Sequence, residues 1–249
     1  MHTNSSFLDG VQHRLLRSLS PRGPTVCTGV ASAGRSKLEL LGVPLDVAGK
    51  TVIDYGCGEG KECVEMALRG ARKVIGVDVR PELLDAAREL AEVHGVSGIC
   101  EFAGRPPAKA DLIISLDAFE HFDRPGDVLA AMRALLNRGG SVRVSFGPTW
   151  YHPLGGHLFS VFPWAHLLFS EAALIRWRSN FKSDGATRFG EVAGGLNQMT
   201  IRRFEELVER SPLRFKWLEP VPIRKLRWVH NRGTREFTTA IVRCELIAR

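Results

Sequence analysis

From Lys50 onward short apolar runs alternate with amphipathic stretches, the pattern of a parallel sheet whose strands are joined by crossover helices. Thr51 to Tyr55 is the first predicted strand, followed by a glycine-rich turn and a helix through about Leu68. Lys73 to Val77 is the second, and Pro81 opens the next helix at the position where its missing N–H costs nothing. Gly98 to Phe102 and Asp111 to Leu116 read as strands three and four, and Pro125 to Leu136 as a helix. Arg138-Gly139-Gly140 then turns the chain into a fifth strand, Ser141 to Phe146, with Val142, Val144 and Phe146 on one face. The alternation stops for about fifty residues, longer than an ordinary connection, which marks 148–198 as an inserted lid or subdomain. Thr200, with Met199 and Phe204 placed as a hydrophobic staple, starts a helix to about Glu209, and Leu213 to Leu218 and Phe237 to Ile247 supply two late strands. Residues 1–35 are rich in Gly, Ser, Pro and Thr and predict a loosely ordered arm, with a short helix near Val11 to Leu19, placed to fold over a ligand. The remainder, 36–249, reads as one domain carrying the insert.

Composition narrows the class. The hydrophobic share of 44% and charged share of 24% are those of a globular protein. No apolar run is long enough to span a membrane and Met1 to Ser6 is polar, so a cytoplasmic location is expected. The five cysteines are too far apart for zinc or redox motifs and read as reduced thiols. Lys and Arg balance Asp and Glu at 18 each in residues 1–150 but number 16 against 9 thereafter, so the excess of +7 is entirely C-terminal. Because these cations are scattered, a solvated basic face is preferred to a nucleic-acid interface.

Val52-Ile53-Asp54-Tyr55-Gly56-Cys57-Gly58-Glu59-Gly60 runs from a buried strand through three alternate glycines into a helix. Glycine is required where backbone turns sharply and lets a ligand approach. In a dinucleotide site the third glycine follows three residues after the second, where Lys61 stands here, so a pyrophosphate is disfavoured. Asp54 would repel a pyrophosphate but suits the ammonium of an amino-acid moiety. At the end of the second strand Asp78 is placed to accept hydrogen bonds from two ribose hydroxyls.

These motifs, with Ser115-Leu116-Asp117-Ala118-Phe119-Glu120-His121-Phe122, resemble those of class I S-adenosylmethionine-dependent methyltransferases of the bacterial type 11 group, over about Leu38 to Gly147. The resemblance implies a Rossmann-like α/β fold: a seven-stranded, mostly parallel sheet with one antiparallel edge strand, helices on both faces and a helical, aromatic lid after strand five. It implies S-adenosylmethionine as cofactor, seated by Asp54, Tyr55, Gly56, Cys57, Gly58, Gly60, Asp78, Val79, Phe102, Leu116 and Asp117. One departure is that Phe102-Ala103-Gly104-Arg105 stands where relatives carry an acid for the adenine amine, so backbone and apolar contacts around Phe102 are expected instead.

Methyl transfer from a sulfonium is an in-line displacement that needs alignment above all, and a base only if the acceptor must lose a proton. Glu120 and His121, at the exit of strand four, and His157, after Gly155-Gly156, are the candidate catalytic groups. Asp117, Glu120 and His121 also resemble a divalent-metal set of ubiquinone-pathway O-methyltransferases, but a helix-entry network without metal is the preferred reading. Trp150, Tyr151, His152, His157 and Trp164 are expected to wall a pocket for a small apolar or aromatic acceptor, with O-methyl transfer favoured. The alternatives are an RNA methyltransferase, prompted by the basic C-terminal region, and a non-catalytic S-adenosylmethionine-binding partner protein.

Overall fold

The computed structural model describes residues 3–20, 36–159, 162–192 and 195–249. Seven strands, β1 (Thr51–Tyr55), β2 (Lys73–Val77), β3 (Cys100–Ala103), β4 (Ala110–Leu116), β5 (Leu136–Phe146), β6 (Leu213–Pro222) and β7 (Thr239–Ala248), form one sheet in the order β3-β2-β1-β4-β5-β7-β6. The first five run parallel and β7 pairs antiparallel with both β5 and β6. The antiparallel strand therefore lies one place in from the edge, a correction to the expected edge position. The helices are α1 (Thr3–Leu19), α2 (Lys61–Leu68), α3 (Pro81–Val93), α4 (Pro125–Leu135), α5 (Ala165–Leu168), α6 (Glu171–Arg178), α7 (Ile201–Arg210) and α8 (Arg235–Thr238).

Strand side chains alternate between two cores because successive Cβ atoms leave opposite faces of a pleated strand. Val52, Val74, Leu112, Ile114 and Leu116 pack with Val64 and Ala67 of α2 and Leu84 and Ala87 of α3. Ile53, Ile75, Ile113, Val142 and Val144 pack on the opposite face with Leu129 and Met132 of α4 and Phe204 and Val208 of α7. Each such side chain contributes about 1.5–3 kcal/mol by leaving water, so both faces hold the sheet rigid beneath its loops. Thr200 caps α7 by accepting from the Arg203 N–H at 3.0 Å, as its position predicted.

Two local expectations change. Arg138-Gly139-Gly140 is an irregularity inside β5, where Ala110 pairs with Leu136 and Leu112 with Ser141. Gly139 at φ +80 takes up the surplus residues, so glycine here bulges a strand. The helix expected over Val11 to Leu19 begins at Thr3 and docks on α6, and the rest of the arm, residues 21–35, lies outside the described residues. Leu16 of α1 joins Phe159, Leu174, Trp177, Phe189 and Leu196 in a third core belonging to the insert. Asp9 accepts from Ser170 Oγ at 2.5 Å and Gln12 Oε1 from Ser170 N at 2.9 Å, fixing α1 to the start of α6.

Candidate functional site

The turn after β1 is tied to β2 by the Gly56 and Cys57 N–H groups, which donate to the Val77 carbonyl at 2.8 and 3.0 Å. Gly56, Gly58 and Gly60 have φ of +91, +53 and +74, conformations that cost another residue about 1–2 kcal/mol. Their surroundings differ. A Cβ on Gly60 would lie 2.7 Å from the Ala87 Cβ and 2.9 Å from the Phe102 ring, and one on Gly56 would lie 2.8 Å from the Ala118 Cβ. A Cβ on Gly58 would meet nothing within 4 Å. Gly56 and Gly60 thus serve close packing, whereas Gly58 borders open space. Gly60→Ala is expected to cost about 2–5 kcal/mol from overpacking plus backbone strain, read as a fall in melting temperature.

Asp78 is 5% exposed. Its Oδ1 accepts from Arg80 N and Nε, both at 3.0 Å, and its Oδ2 from Gly58 N and Arg80 Nη2, both at 3.1 Å. Burial raises its pKa, but the Arg80 hydrogen bonds and charge together outweigh that and hold it below the ordinary value. Val79 next to it is 87% exposed. Asp54 is 2% exposed and accepts from Cys63 Sγ at 3.5 Å. Burial, reinforced by Glu62, pushes its carboxyl up to about 7.

Asp117 has φ +49, donates its N–H to the Ser145 carbonyl at 2.8 Å and pairs with Lys37 Nζ at 3.4 Å. Lys37 comes from the short turn Lys37–Leu41, far from the motifs in sequence, and its charge also bears on Asp54, Glu62 and Glu120. The Tyr55 carbonyl accepts from Ser115 Oγ at 2.9 Å, and its ring meets Phe122 edge-on at 5.9 Å. Leu116 and the Cys57 thiol lie in the core beneath the turn. The Phe102 ring is there too, against Gly60 and Gly76, so it supports the turn from below.

At the exit of β4, Glu120 is 2% exposed; its Oε1 accepts from Gly147 N at 3.2 Å, while its buried Oε2 has no partner. Burial, helped by Asp117, pushes its carboxyl up to about 8. His121 Nδ1 lies 2.8 Å from the Gly195 carbonyl, so it carries the proton and leaves Nε2 as acceptor. The His157 ring lies 5.3 Å from that of His121, tilted by 38°. His157 Nδ1 is buried without a partner, and burial, with His121 next, lowers its pKa to about 4. Gly155 and Gly156 are held by packing: a Cβ on them would reach 2.2 Å from the Trp150 carbonyl oxygen and 2.6 Å from the His166 Cβ. The Gly155-Gly156 turn that carries His157 is therefore a close-packed one.

Of the expected pocket wall, only His157 is brought to the exit of β4. Trp150 packs edge-on against His166 at 4.7 Å and against Phe189 at 5.6 Å. Trp164 Nε1 donates to the Tyr151 carbonyl at 2.9 Å, Tyr151 stacks on Phe237 at 5.1 Å, and His152 Nδ1 accepts from Leu154 N at 2.9 Å. These four hold the insert to itself and to α8. Among the described residues no group of three or more His, Cys, Asp or Glu side chains is arranged to hold a metal ion. Sequence reasoning missed Lys37 and Arg80; a base two residues after Asp78 was the one available signal.

Residues 46–147 match the sequence profile of a methyltransferase domain. That stretch is thus similar to a methyltransferase domain, and the fold is that of S-adenosylmethionine-dependent methyltransferases of known structure. Over 98 residues it is 38% identical to the ribosomal protein L11 methyltransferase of Edwardsiella ictaluri, covering 39% of this chain and 33% of that protein. The chain thus spans a third or less of the curated relatives it matches. Its fold is shared with magnesium protoporphyrin IX methyltransferase from Synechocystis with bound S-adenosylhomocysteine, at TM-score 0.56, 14% identity and coverage of 98% and 97% of the two chains. A methyltransferase from Mesorhizobium loti gives TM-score 0.54 and 16% identity over 85% of this chain and 96% of that one.

The residues fit S-adenosylmethionine. Gly58 leaves the space a Cβ would fill, Asp78 provides the acceptor a ribose requires, and Asp54 and Asp117 supply carboxylates for a cation. Arg80, bonded to both Asp78 oxygens, is the group with which a ribose would compete. Because Asp54 is near half-ionised at neutral pH, a cation beside it is expected to draw it to the ionised form. Affinity should therefore rise as pH rises through about 7, with proton release visible when calorimetry is repeated in buffers of different ionisation enthalpy.

Proposed function

We propose that the protein transfers the methyl group of S-adenosylmethionine to the oxygen of a small, apolar or aromatic acceptor. Glu120 takes the acceptor's proton and His157 orients its hydroxyl, and the carrying observation is the buried, unpartnered Glu120 Oε2 at the exit of β4. An ordinary structural carboxylate has both oxygens satisfied, because an unpaired buried acceptor costs about 1–3 kcal/mol. Here one oxygen is anchored on Gly147 N and the other is left free for a ligand.

The cofactor supplies an activated methyl group on a positively charged sulfur. The domain's side chains then have two tasks. Asp78, Asp54 and the turn at Gly58 fix the donor, while Tyr55, Phe122, His121 and His157 border the space beyond it, an apolar rim with two neutral imidazoles. Glu120, whose pKa near 8 is closest to working pH, is better matched to take a hydroxyl proton than His157, a weak base at about 4. His157 is assigned to orient the hydroxyl. With the donor so held, Glu120 would take the hydroxyl proton as the acceptor oxygen is methylated, S-adenosylhomocysteine being the other product.

The test is S-adenosylhomocysteine release from purified protein offered a panel of phenols and hydroxylated apolar compounds, beside total RNA and ribosomal protein. Turnover confined to members of the panel, with one methyl ether formed per S-adenosylhomocysteine, supports the assignment. Turnover only with RNA or protein overturns it.

A further inference from the structure

Among the described residues, eight of the twelve exposed large apolar side chains fall in three places, the others being Val43, Leu68, Val79 and Val93. On α1, Leu8, Val11, Leu15 and Leu19 are 58%, 41%, 50% and 52% exposed. Their 3, 4 and 4 residue spacing makes them one stripe, about a quarter-turn around the helix from the Leu16 face that docks on the insert. Leu168, 66% exposed, stands next to this helix, because Ser170 is bonded to both Asp9 and Gln12. In the β6–β7 connection Trp228 is 84% exposed and Phe237 45%. The insert begins at the carboxyl end of β5, where Phe146 pairs with Val242 near the start of β7, so all three places belong to the same end of the sheet as the site.

Basic groups accompany them. Pro220 to Arg235 contains no Asp or Glu, and Arg224, Lys225, Arg227 and Arg232 are exposed with no ion pair among the described residues. Glu219 is engaged by Arg243, and Glu236 caps α7 through the N–H groups of Ile201 and Arg202. On α1, Arg14 borders the apolar stripe and is likewise exposed, with no ion pair among the described residues. Unbalanced cations beside exposed Leu and Trp are what an anionic bilayer selects: the headgroups meet the bases, Trp sits at the interface and the aliphatic stripe enters the acyl boundary.

We propose that this end of the molecule docks on an anionic phospholipid surface, with α1 and the Arg224–Val229 turn as its two contacts, and that the acceptor site opens beside that surface. Single-stranded nucleic acid would use the bases and Trp228 but leaves the α1 stripe, which has no aromatic ring to stack, in water. No helix of the described residues is long and apolar enough to cross a membrane, so the attachment is peripheral.

The experiment is co-sedimentation of the full chain with vesicles of neutral phosphatidylcholine and with vesicles containing a third phosphatidylglycerol. Binding is expected only to the anionic vesicles, weakening as salt rises, with a blue shift of Trp emission absent in Trp228→Ala. Arg224→Gln with Arg227→Gln should lower partitioning about thirtyfold, at roughly fivefold per base near the surface. Leu15→Ser should weaken it further without changing S-adenosylhomocysteine affinity, which shows that the fold is kept. Absence of vesicle binding at low salt, binding indifferent to lipid charge, or affinity for poly(U) without affinity for vesicles would overturn the proposal, as would a dimer that Leu15→Ser dissociates.

Discussion

Glu120→Gln is expected to lower kcat by about 10²–10⁴-fold, the range for removing a positioned general base, while cofactor affinity stays within a factor of two or so. The wild-type rate should climb with pH and level off above about 8, since Oε2 must be ionised to take a proton. The variant's residual rate should lack that limb. The same side chain makes a stability prediction of definite sign. Its pKa is raised from 4.5 to about 8 in the fold, so its contribution is intact below 4.5 and is lost as pH rises toward 8. Wild type should therefore lose on the order of a few kcal/mol across that window, and Glu120→Gln, which cannot ionise, should lose less. Thermal melts at pH 5.5 and 8.5 decide it: equal falls for the two proteins would remove the buried carboxyl from the account.

Gly58→Val should abolish cofactor binding and leave the domain folded. At φ +53 the backbone strain is about 1–2 kcal/mol, and no protein atom lies within 4 Å of the new Cβ. The branched side chain instead fills space beside Asp78, so a loss of at least about a hundredfold in affinity, near 3 kcal/mol, is expected. Gly60→Ala should do the reverse, lowering the melting temperature with whatever folds still able to bind, because its Cβ is stopped by Ala87 and Phe102. If both variants bound the cofactor like wild type, the turn would be structural punctuation only.

The sheet was legible because buried strands such as Val52-Ile53 and Leu112-Ile113-Ile114 feed two cores at once, and that requirement writes apolar residues at consecutive positions. The glycine turn was legible because backbone geometry restricts residue choice there. The insert was not. Its helices α5 and α6, four and eight residues long, are too short to show a period, and their partner α1 lies more than 150 residues away, where Trp177 Nε1 donates to the Ser20 carbonyl at 3.2 Å. The aromatic residues that suggested a pocket wall are spent on packing within the insert and against α8. Lys37 and Arg80 were hidden for a related reason, since a counterion is chosen by proximity in space and carries no spacing rule.

The Gly58 and Asp78 seat is tested most directly by titrating S-adenosylhomocysteine into ligand-stripped protein in a calorimeter, beside Gly58→Val and Asp78→Ala. One molecule bound per chain by the wild type, with heat lost in both variants while their melts show a folded domain, is the predicted result. A wild-type titration without heat, or variants that bind as tightly as wild type, would contradict it.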